Sequence, residues 1–267
     1  MTGPPGVLED KVRLNPSPRA LSPSTLNCCT TPLPPLTLHS TRSPIMDTTA
    51  VGDAAVVARS IVWGGRLTDR QKRDAFESTL FAQAAADKQR TPTNEEEALA
   101  WYNMFTRTLG SIGWIVQQYR FTELESSETQ GSIDDSVLTS FANDEEVDKP
   151  LLASIARGLL AFARAGADSD ANRVFNEASI ASSRFVSFQL VVVSVEQDEV
   201  VLTLWAFFYS SEEEVDNALW FSWNNAKVSI KTAKIVMTLN RSLYDQVRDL
   251  IHQRLSDANK LHLLVPL

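Results

Sequence analysis

Apolar residues recur at helical spacing in the first half of residues 46–267. Phe76, Leu80 and Ala84 lie four residues apart, behind a Thr68–Gln71 run that fits a capping box. In such a box the threonine oxygen accepts an orphan backbone amide while the glutamine side chain reaches back to the cap. The pattern predicts an amphipathic helix from about Thr68 to Asp87.

A second helix is predicted behind Thr93–Glu96, where the same capping device recurs. The acidic run Glu95–Glu97 sits where the positive end of the helix dipole favours carboxylates. A broad apolar face follows and ends near Gly110–Gly113. The next segment, Trp114–Leu124, is rich in aromatic and β-branched residues, which predicts a strand.

Residues 125–147 are mostly polar and acidic, so we expect a flexible connection with one short helix around Asp134–Ala142. Pro150 stands where the first turn of a helix tolerates proline, and the apolar spacing then predicts a helix as far as Gly166. A last helix is predicted from Ser242, capped by a box with Asp245. The apolar tail Leu261–Leu267 is expected to pack.

The second half of the chain is rich in strands. Phe185–Glu196 and Glu199–Tyr209 are predicted to form a hairpin through Gln197 and Asp198. The second of these strands is apolar on both faces, so helices must cover both sides of the sheet. Ala218–Trp223 is expected to be a further short strand. Lys227–Leu239 is expected to be a long one, with a bulge near Thr232 where its apolar parity changes.

These elements predict an α+β fold, with a mostly antiparallel sheet of four to five strands covered by helices from the N-terminal half and the C-terminal end. In architecture alone, the arrangement resembles small microbial α/β toxins in which helices wrap a sheet. No shared motif accompanies this resemblance, so it assigns no residue a role.

Composition divides the chain at Met46. Residues 1–45 hold nine of the twelve prolines and both cysteines, which predicts a disordered tail ahead of one α+β domain at 46–267. No signal peptide is recognised, and a cytoplasmic location is expected. An alternative is that translation naturally starts at Met46, which would make the tail a mis-annotated extension.

Charge limits the classes of partner. Residues 46–267 carry 21 basic and 31 acidic residues, a net charge of −10. Nucleic-acid binding needs a basic footprint that neutralises phosphates, so no nucleic-acid partner is expected. Association with anionic membranes is an alternative that this net charge does not favour.

Catalytic motifs are absent from the sequence: it has no glycine-rich phosphate loop, no nucleophile elbow and no HExxH. The Asp168–Asn172 run imitates a calcium loop but lacks its glycine and glutamate, so a helix cap is expected there. His252 is predicted to lie on a solvated helix face. We therefore predict no catalytic residue, no metal ligand and no cofactor, and enzymatic activity is left open but not favoured.

The remaining candidate site is the cluster of aromatic residues between Trp205 and Trp223. Core packing explains this cluster most simply, whereas the functional hypothesis is a pocket or partner surface with Lys227 beside it. Lys227, Lys231 and Lys234 could hold an acidic ligand, but protection of an exposed edge strand is favoured. The candidate binding residues are Trp205, Tyr209, Trp220, Trp223 and Lys227.

Three functions are consistent with the sequence. The first is a non-catalytic protein that binds an unknown protein or a small apolar ligand through the aromatic sheet region. The second is a membrane-active, toxin-like or virulence-type protein whose sheet or amphipathic helices rearrange at a bilayer. The third is an enzyme that uses carboxylates on an apolar substrate, which requires two acidic groups in one pocket with raised pKa values.

Overall fold

The structure is a computed structural model that describes residues 52–124 and 130–267. The predicted tail at 1–45 lies outside the described residues, so the expected domain division stays a prediction. The described chain is α+β, with six α-helices and an eight-stranded mixed sheet. The helices are α1 (Asp69–Asp87), α2 (Glu95–Ser111), α3 (Ile133–Ala142), α4 (Lys149–Ala165), α5 (Asp170–Ser179) and α6 (Arg241–Asp257).

The strands include the predicted long ones and several that the sequence analysis missed. They are β1 (Ala54–Val57), β2 (Ser60–Trp63), β3 (Trp114–Leu124), β4 (Gln130–Ser132), β5 (Ile180–Ser182), β6 (Phe185–Glu196), β7 (Glu199–Ser211), β8 (Ser222–Asn224), β9 (Val228–Leu239) and β10 (Leu264–Pro266). The main sheet has the order β10-β1-β2-β6-β7-β9-β3, with β5 also paired to β6, while β4 and β8 form a separate pair.

The expected sheet of four to five strands is therefore too small. The strands β1, β2 and β10 extend it on one side, and β2 lies parallel to β6 while the other pairs are antiparallel. The apolar tail packs as predicted, because β10 pairs with β1. Within Ala218–Trp223 only the last two residues join a strand, so that prediction was largely wrong.

The bulge predicted near Thr232 is not found in β9. The register of β9 against β7 runs without a break from Val228 to Thr238, whereas the irregularity falls in β3 between Val116 and Gln118. The parity change in β9 needs no bulge, because both faces of this strand are buried. Ile230 faces one core and Ile235 the other.

Helices cover the two faces of the sheet separately. On the first face, α1, α2 and α6 contribute Phe76, Phe105 and Leu255 to a core with the sheet residues Leu204 and Ile235. On the second face, α3, α4 and α5 form another core with the sheet. That core contains Phe141, Phe162, Phe175, Phe188, Phe207 and Trp205. Apolar side chains on both sides of one sheet are thus shielded by helices, as predicted.

The helix ends follow local capping chemistry. The Thr68 hydroxyl accepts from the Gln71 amide, and the predicted capping box of α1 is complete. The α2 cap is Asn94 rather than Thr93, and α6 is capped by Asn240 rather than by the predicted Ser242 box. Ser169 caps α5, which confirms the helix-cap interpretation of Asp168–Asn172. The short helix expected around Asp134–Ala142 is α3, and β4 precedes it in the segment that was expected to be a flexible connection.

Candidate functional site: the second face of the sheet

Three of the five candidate binding residues lie inside the second core. Trp205, Tyr209 and Trp223 expose 4%, 1% and 3% of their surface. Trp205 meets Phe141 edge to face at 5.0 Å, and the Tyr209 hydroxyl donates to the Ala218 carbonyl at 2.9 Å. Burial raises the pKa of Tyr209 far above its usual value. The structure gives these side chains a packing role, and their proposed ligand-binding role stays a prediction.

The other two candidates are at the surface. Trp220 is 38% exposed, and Lys227 is exposed in the segment before β9. A shallow groove of about 330 Å³ lies elsewhere, between the start of β3, the β6–β7 turn and the β9–α6 junction. The residues that line it are Ile115, Gln117, Asp198, Glu199, Thr238, Leu239, Asn240 and Arg241.

The lysines of β9 are held by the chain's own carboxylates. Because β9 lies between β7 and β3, Lys231 and Lys234 do not protect an edge strand, and that favoured interpretation was wrong. The Lys231 ammonium contacts the Glu95 carboxylate of α2. Lys234, only 6% exposed, donates to Asp144 at 2.8 Å and to Glu146 at 3.0 Å.

Around Lys234 a compact charge cluster ties the segment between α3 and α4 to the sheet. The Arg120 guanidinium of β3 joins it through Glu146 at 2.7 Å. Burial alone would raise the pKa of Asp144, but hydrogen bonds from Lys234 and from the Glu146 amide outweigh it and hold that pKa below its usual value. Hydrogen bonds from Lys234 and Gln118 lower the pKa of Glu146 as well.

A second polar cluster, which the sequence analysis missed, fastens the first-face helices. Arg59, in the β1–β2 turn, is 2% exposed, donates to Asp87 of α1 at 2.7 Å and stacks on the Trp101 ring of α2 at 4.5 Å. The Trp101 indole also donates to Asp87 at 2.8 Å. Burial lowers the pKa of the Arg59 guanidinium, and the attraction of the Asp87 carboxylate partly offsets this shift. A turn arginine is ordinarily solvated, so no sequence signal marked it.

The helix α4 has the composition of a membrane-surface helix. Its residues Lys149, Arg157 and Arg164 are exposed, and it contains no acidic residue within a strongly acidic chain. Ile155 and Phe162 are buried against the sheet. Gly158 faces β2, where a Cβ would lie in ordinary contact distance, 3.4 Å, from the Trp63 Cβ.

The apolar residues of α4 exceed what the sheet covers. Leu151, Leu152 and Leu159 are half-buried, and Leu160 is 49% exposed. At 100° per residue, Leu160 lies on the side of the helix opposite Ile155. It sits three residues after one arginine and four before the next, so an exposed leucine stands within the cationic face.

The other candidates for chemistry are acidic side chains and His252. Among residues 52–124 and 130–267, no group of three or more His, Cys, Asp or Glu side chains is placed to hold a metal ion. His252 is exposed on α6, as predicted, and its Nδ1 also lies 2.9 Å from the Glu77 carboxylate. Burial raises the pKa of Glu77, opposed by His252, but Glu77 does not line the groove that contains Asp198 and Glu199.

Comparison with known proteins yields structural neighbours only. The sequence matches no protein-family model and no curated protein. A delta-endotoxin superposes with a TM-score of 0.42 at 15% identity, covering 79% of this chain and 91% of that one. The activated Cyt2Ba monomer from Bacillus thuringiensis subsp. israelensis gives 0.41 at 13% identity, covering 68% and 98%. The Evf virulence factor gives 0.31 at 10%, covering 78% and 85%. With TM-scores below 0.5, these similarities carry no functional argument.

Proposed function

We propose that this protein is membrane-active, and that α4 is the element that meets the bilayer. The observation that carries the proposal is a basic amphipathic helix with an exposed leucine in its cationic face. Such helices lie in the interface between water and lipid, where basic side chains meet anionic headgroups and leucines enter the acyl boundary. The helix α4 is thus positively charged, although residues 46–267 as a whole have a net charge of −10.

Simple surface docking of α4 gives only weak binding. Three basic residues contribute about 1 kcal/mol each near an anionic surface. Burying the exposed half of Leu160 adds about 1 kcal/mol. A total of about 4 kcal/mol corresponds to roughly millimolar affinity. Tighter binding therefore requires α4 to move its other leucines, together with the sheet-facing Ile155 and Phe162, out of the protein core and into the bilayer.

The helix α4 packs on β1, β2 and β6, and the sheet continues beyond them through further long strands. The strands β6, β7 and β9 have 12, 13 and 12 residues, and β6 and β7 are largely buried on both faces. At about 3.3 Å per residue each is roughly 40 Å long, more than the hydrocarbon thickness of about 30 Å. In the described ranges, no helix has the length and apolarity to cross a bilayer.

The test is leakage of dye from vesicles that contain an anionic phospholipid. We expect Leu160→Glu to reduce leakage at least tenfold, because it places a carboxylate where the helix enters the acyl boundary. Leu243→Glu is the matched control, since Leu243 is 50% exposed on α6 and lies outside the proposed contact. Equal leakage by both variants, with thermal melts unchanged, would remove α4 from the mechanism.

The binding-protein alternative is favoured by one observation, the exposure of Trp220 at the surface of the second face. This alternative assigns Trp220 and Lys227 to a partner, and it predicts loss of that partner on Trp220→Ala without loss of stability. Wild-type protein that neither binds nor permeabilises vesicles would favour it over membrane action. The cytoplasmic location stays a prediction under both hypotheses.

A further inference from the structure

The two ends of the main sheet are protected differently. At one end β10 offers only three residues, Leu264–Pro266, and its proline has no backbone N–H. At the other end β3 is 11 residues long, and within 52–124 and 130–267 no strand pairs with its outer side. Natural edges are usually shortened or interrupted by proline, because free backbone donors and acceptors recruit another strand. The β10 edge has these features and the β3 edge lacks them.

Exposed apolar side chains follow the β3 edge. Val116, Tyr119 and Phe121 are 44%, 47% and 39% exposed. Val116 pairs with Met237 and Tyr119 with Ile235, and both partners belong to the first core. The bulge between Val116 and Gln118 therefore keeps the apolar side chains of β3 on one face, although the simple alternation of a strand would separate them.

Charge does not oppose self-association at this edge. Arg120 is the one charged residue from Trp114 to Phe121, and its side chain pairs with Glu146 on the second face. Gln117 and Gln118 beside it are neutral. Two copies of β3 can therefore approach with no unpaired like charges between these segments, although the molecule as a whole is acidic.

Backbone chemistry decides between a lipid and a protein occupant. A bare strand edge cannot enter hydrocarbon without leaving its outward N–H and C=O groups unsatisfied, at several kcal/mol each. A second strand satisfies these groups and also buries the apolar side chains. A two-fold axis makes two identical edge strands antiparallel, with each contacting the same surface of the other.

We infer that two copies of this chain associate through β3, which pairs antiparallel with β3 of the second copy to join the two sheets into one. The contact is self-complementary, with Tyr119 and Phe121 at its centre. Three exposed side chains and one strand edge form a small interface by the standards of stable complexes, so the dimer dissociates on dilution. The inference does not depend on the proposed membrane activity.

The first test is sedimentation of the full-length protein over a range of concentrations. The wild type is expected to show a monomer–dimer equilibrium, and Tyr119→Lys is expected to weaken it at least tenfold by placing two ammonium groups in the contact. Leu243→Lys, a surface leucine on α6, is the matched control and should leave it unchanged. A monomeric wild type at all concentrations, or an equal effect of both variants, overturns the inference.

The second test does not depend on whether Tyr119→Lys perturbs folding. In a background with Cys28→Ser and Cys29→Ser, the double variant Tyr119→Cys with Phe121→Cys is expected to form intermolecular disulfides, because residue 119 of one copy lies opposite residue 121 of the other, whereas Leu243→Cys is not. Equal cross-linking of the double variant and of Leu243→Cys contradicts β3 pairing. Two other outcomes also overturn the inference. If dimers form only after residues 1–45 are deleted, those residues occupy the β3 edge in the full-length protein. If the protein stays monomeric and Tyr119→Lys reduces its binding to vesicles, the β3 edge contacts lipid.

Discussion

At the scale of single residues, the aromatic side chains of the second face divide into packing residues and surface residues. Trp205 and Trp223 lie in the core, whereas Trp220, only three residues before Trp223, is 38% exposed. Position alone therefore determines whether an indole in this segment contributes to stability or remains available to a partner.

This division predicts opposite results for two neighbouring tryptophans. Trp223→Ala is expected to cost about 3 to 5 kcal/mol of unfolding free energy, since it leaves a cavity in a packed core. Trp220→Ala is expected to change that free energy by no more than about 0.5 kcal/mol. Urea unfolding measures both, and acrylamide should quench Trp220 in preference to Trp223. Similar losses for the two variants would contradict the assignment.

At the scale of elements, the turn from α2 into β3 depends on an unusual backbone conformation. Gly113 has a φ of +107°, and a Cβ there would lie 3.2 Å from both the Asn240 carbonyl oxygen and the Tyr244 amide nitrogen. Both neighbours are backbone atoms at the start of α6, so neither can rotate away. Glycine at this position thus lets α2, β3 and α6 meet closely.

Two glycines in this region are expected to respond to alanine with opposite signs. Gly113→Ala should lose about 1 to 3 kcal/mol through strain at positive φ. Gly110→Ala should gain about 0.5 to 1 kcal/mol, because Gly110 is exposed within α2 and has open space around it. Chemical denaturation of both variants measures the difference. Stabilisation by Gly113→Ala would show that the turn adopts another conformation.

The elements that the sequence predicted well have strong local signals. The capping box at Thr68, the proline at the start of α4 and the hairpin at Gln197 each report local backbone chemistry, and each element formed as expected. The strands β1 and β2 have only four residues each, and β2 is held by parallel pairing to β6, which is distant in sequence. Short strands with non-local partners leave no periodic signal.

Prediction of the site failed for a related reason. A strand that is buried on both faces and one that presents an aromatic binding surface have the same composition, so Trp205 and Tyr209 could not be assigned to the core from sequence. Lys234 appeared to protect an edge, because the position of β9 within the sheet depends on its long-range pairing with β3. The cationic character of α4 is present in the sequence of Lys149–Ala165, although the net charge of residues 46–267 is acidic.

At the scale of the whole molecule, acidic side chains fasten the helical layers to the sheet. Asp144 and Glu146 hold the second-face segment at Lys234, and their pKa values are lowered, as is that of Glu97, whose hydrogen bonds come from Thr93. A lowered folded-state pKa contributes stability above the unfolded pKa, and this stability is lost as pH falls through the folded value. Glu77, with its raised pKa, acts in the opposite direction.

We therefore expect the unfolding free energy to fall with acidification below about pH 4, which is near the ordinary pKa values of Asp and Glu, about 3.9 and 4.3.

Lys234→Met should lower stability at neutral pH by about 2 kcal/mol and flatten the acid-induced loss, because the carboxylates lose their buried cation. Lys227→Met, at an exposed position, is the control. Denaturant melts from pH 3 to 7 measure both effects, and identical pH profiles for wild type and Lys234→Met would contradict the role of the cluster.

The central claim is that α4 meets the bilayer. The most direct measurement places a polarity-sensitive dye on Leu160→Cys, in a background without Cys28 and Cys29, and records its emission as vesicles of phosphatidylserine and phosphatidylcholine are added. The account predicts a blue shift and quenching by a lipid-phase quencher at this position, with neither effect for the same dye on Leu243→Cys. Emission at Leu160 that stays unchanged while the vesicles bind protein or leak would contradict it.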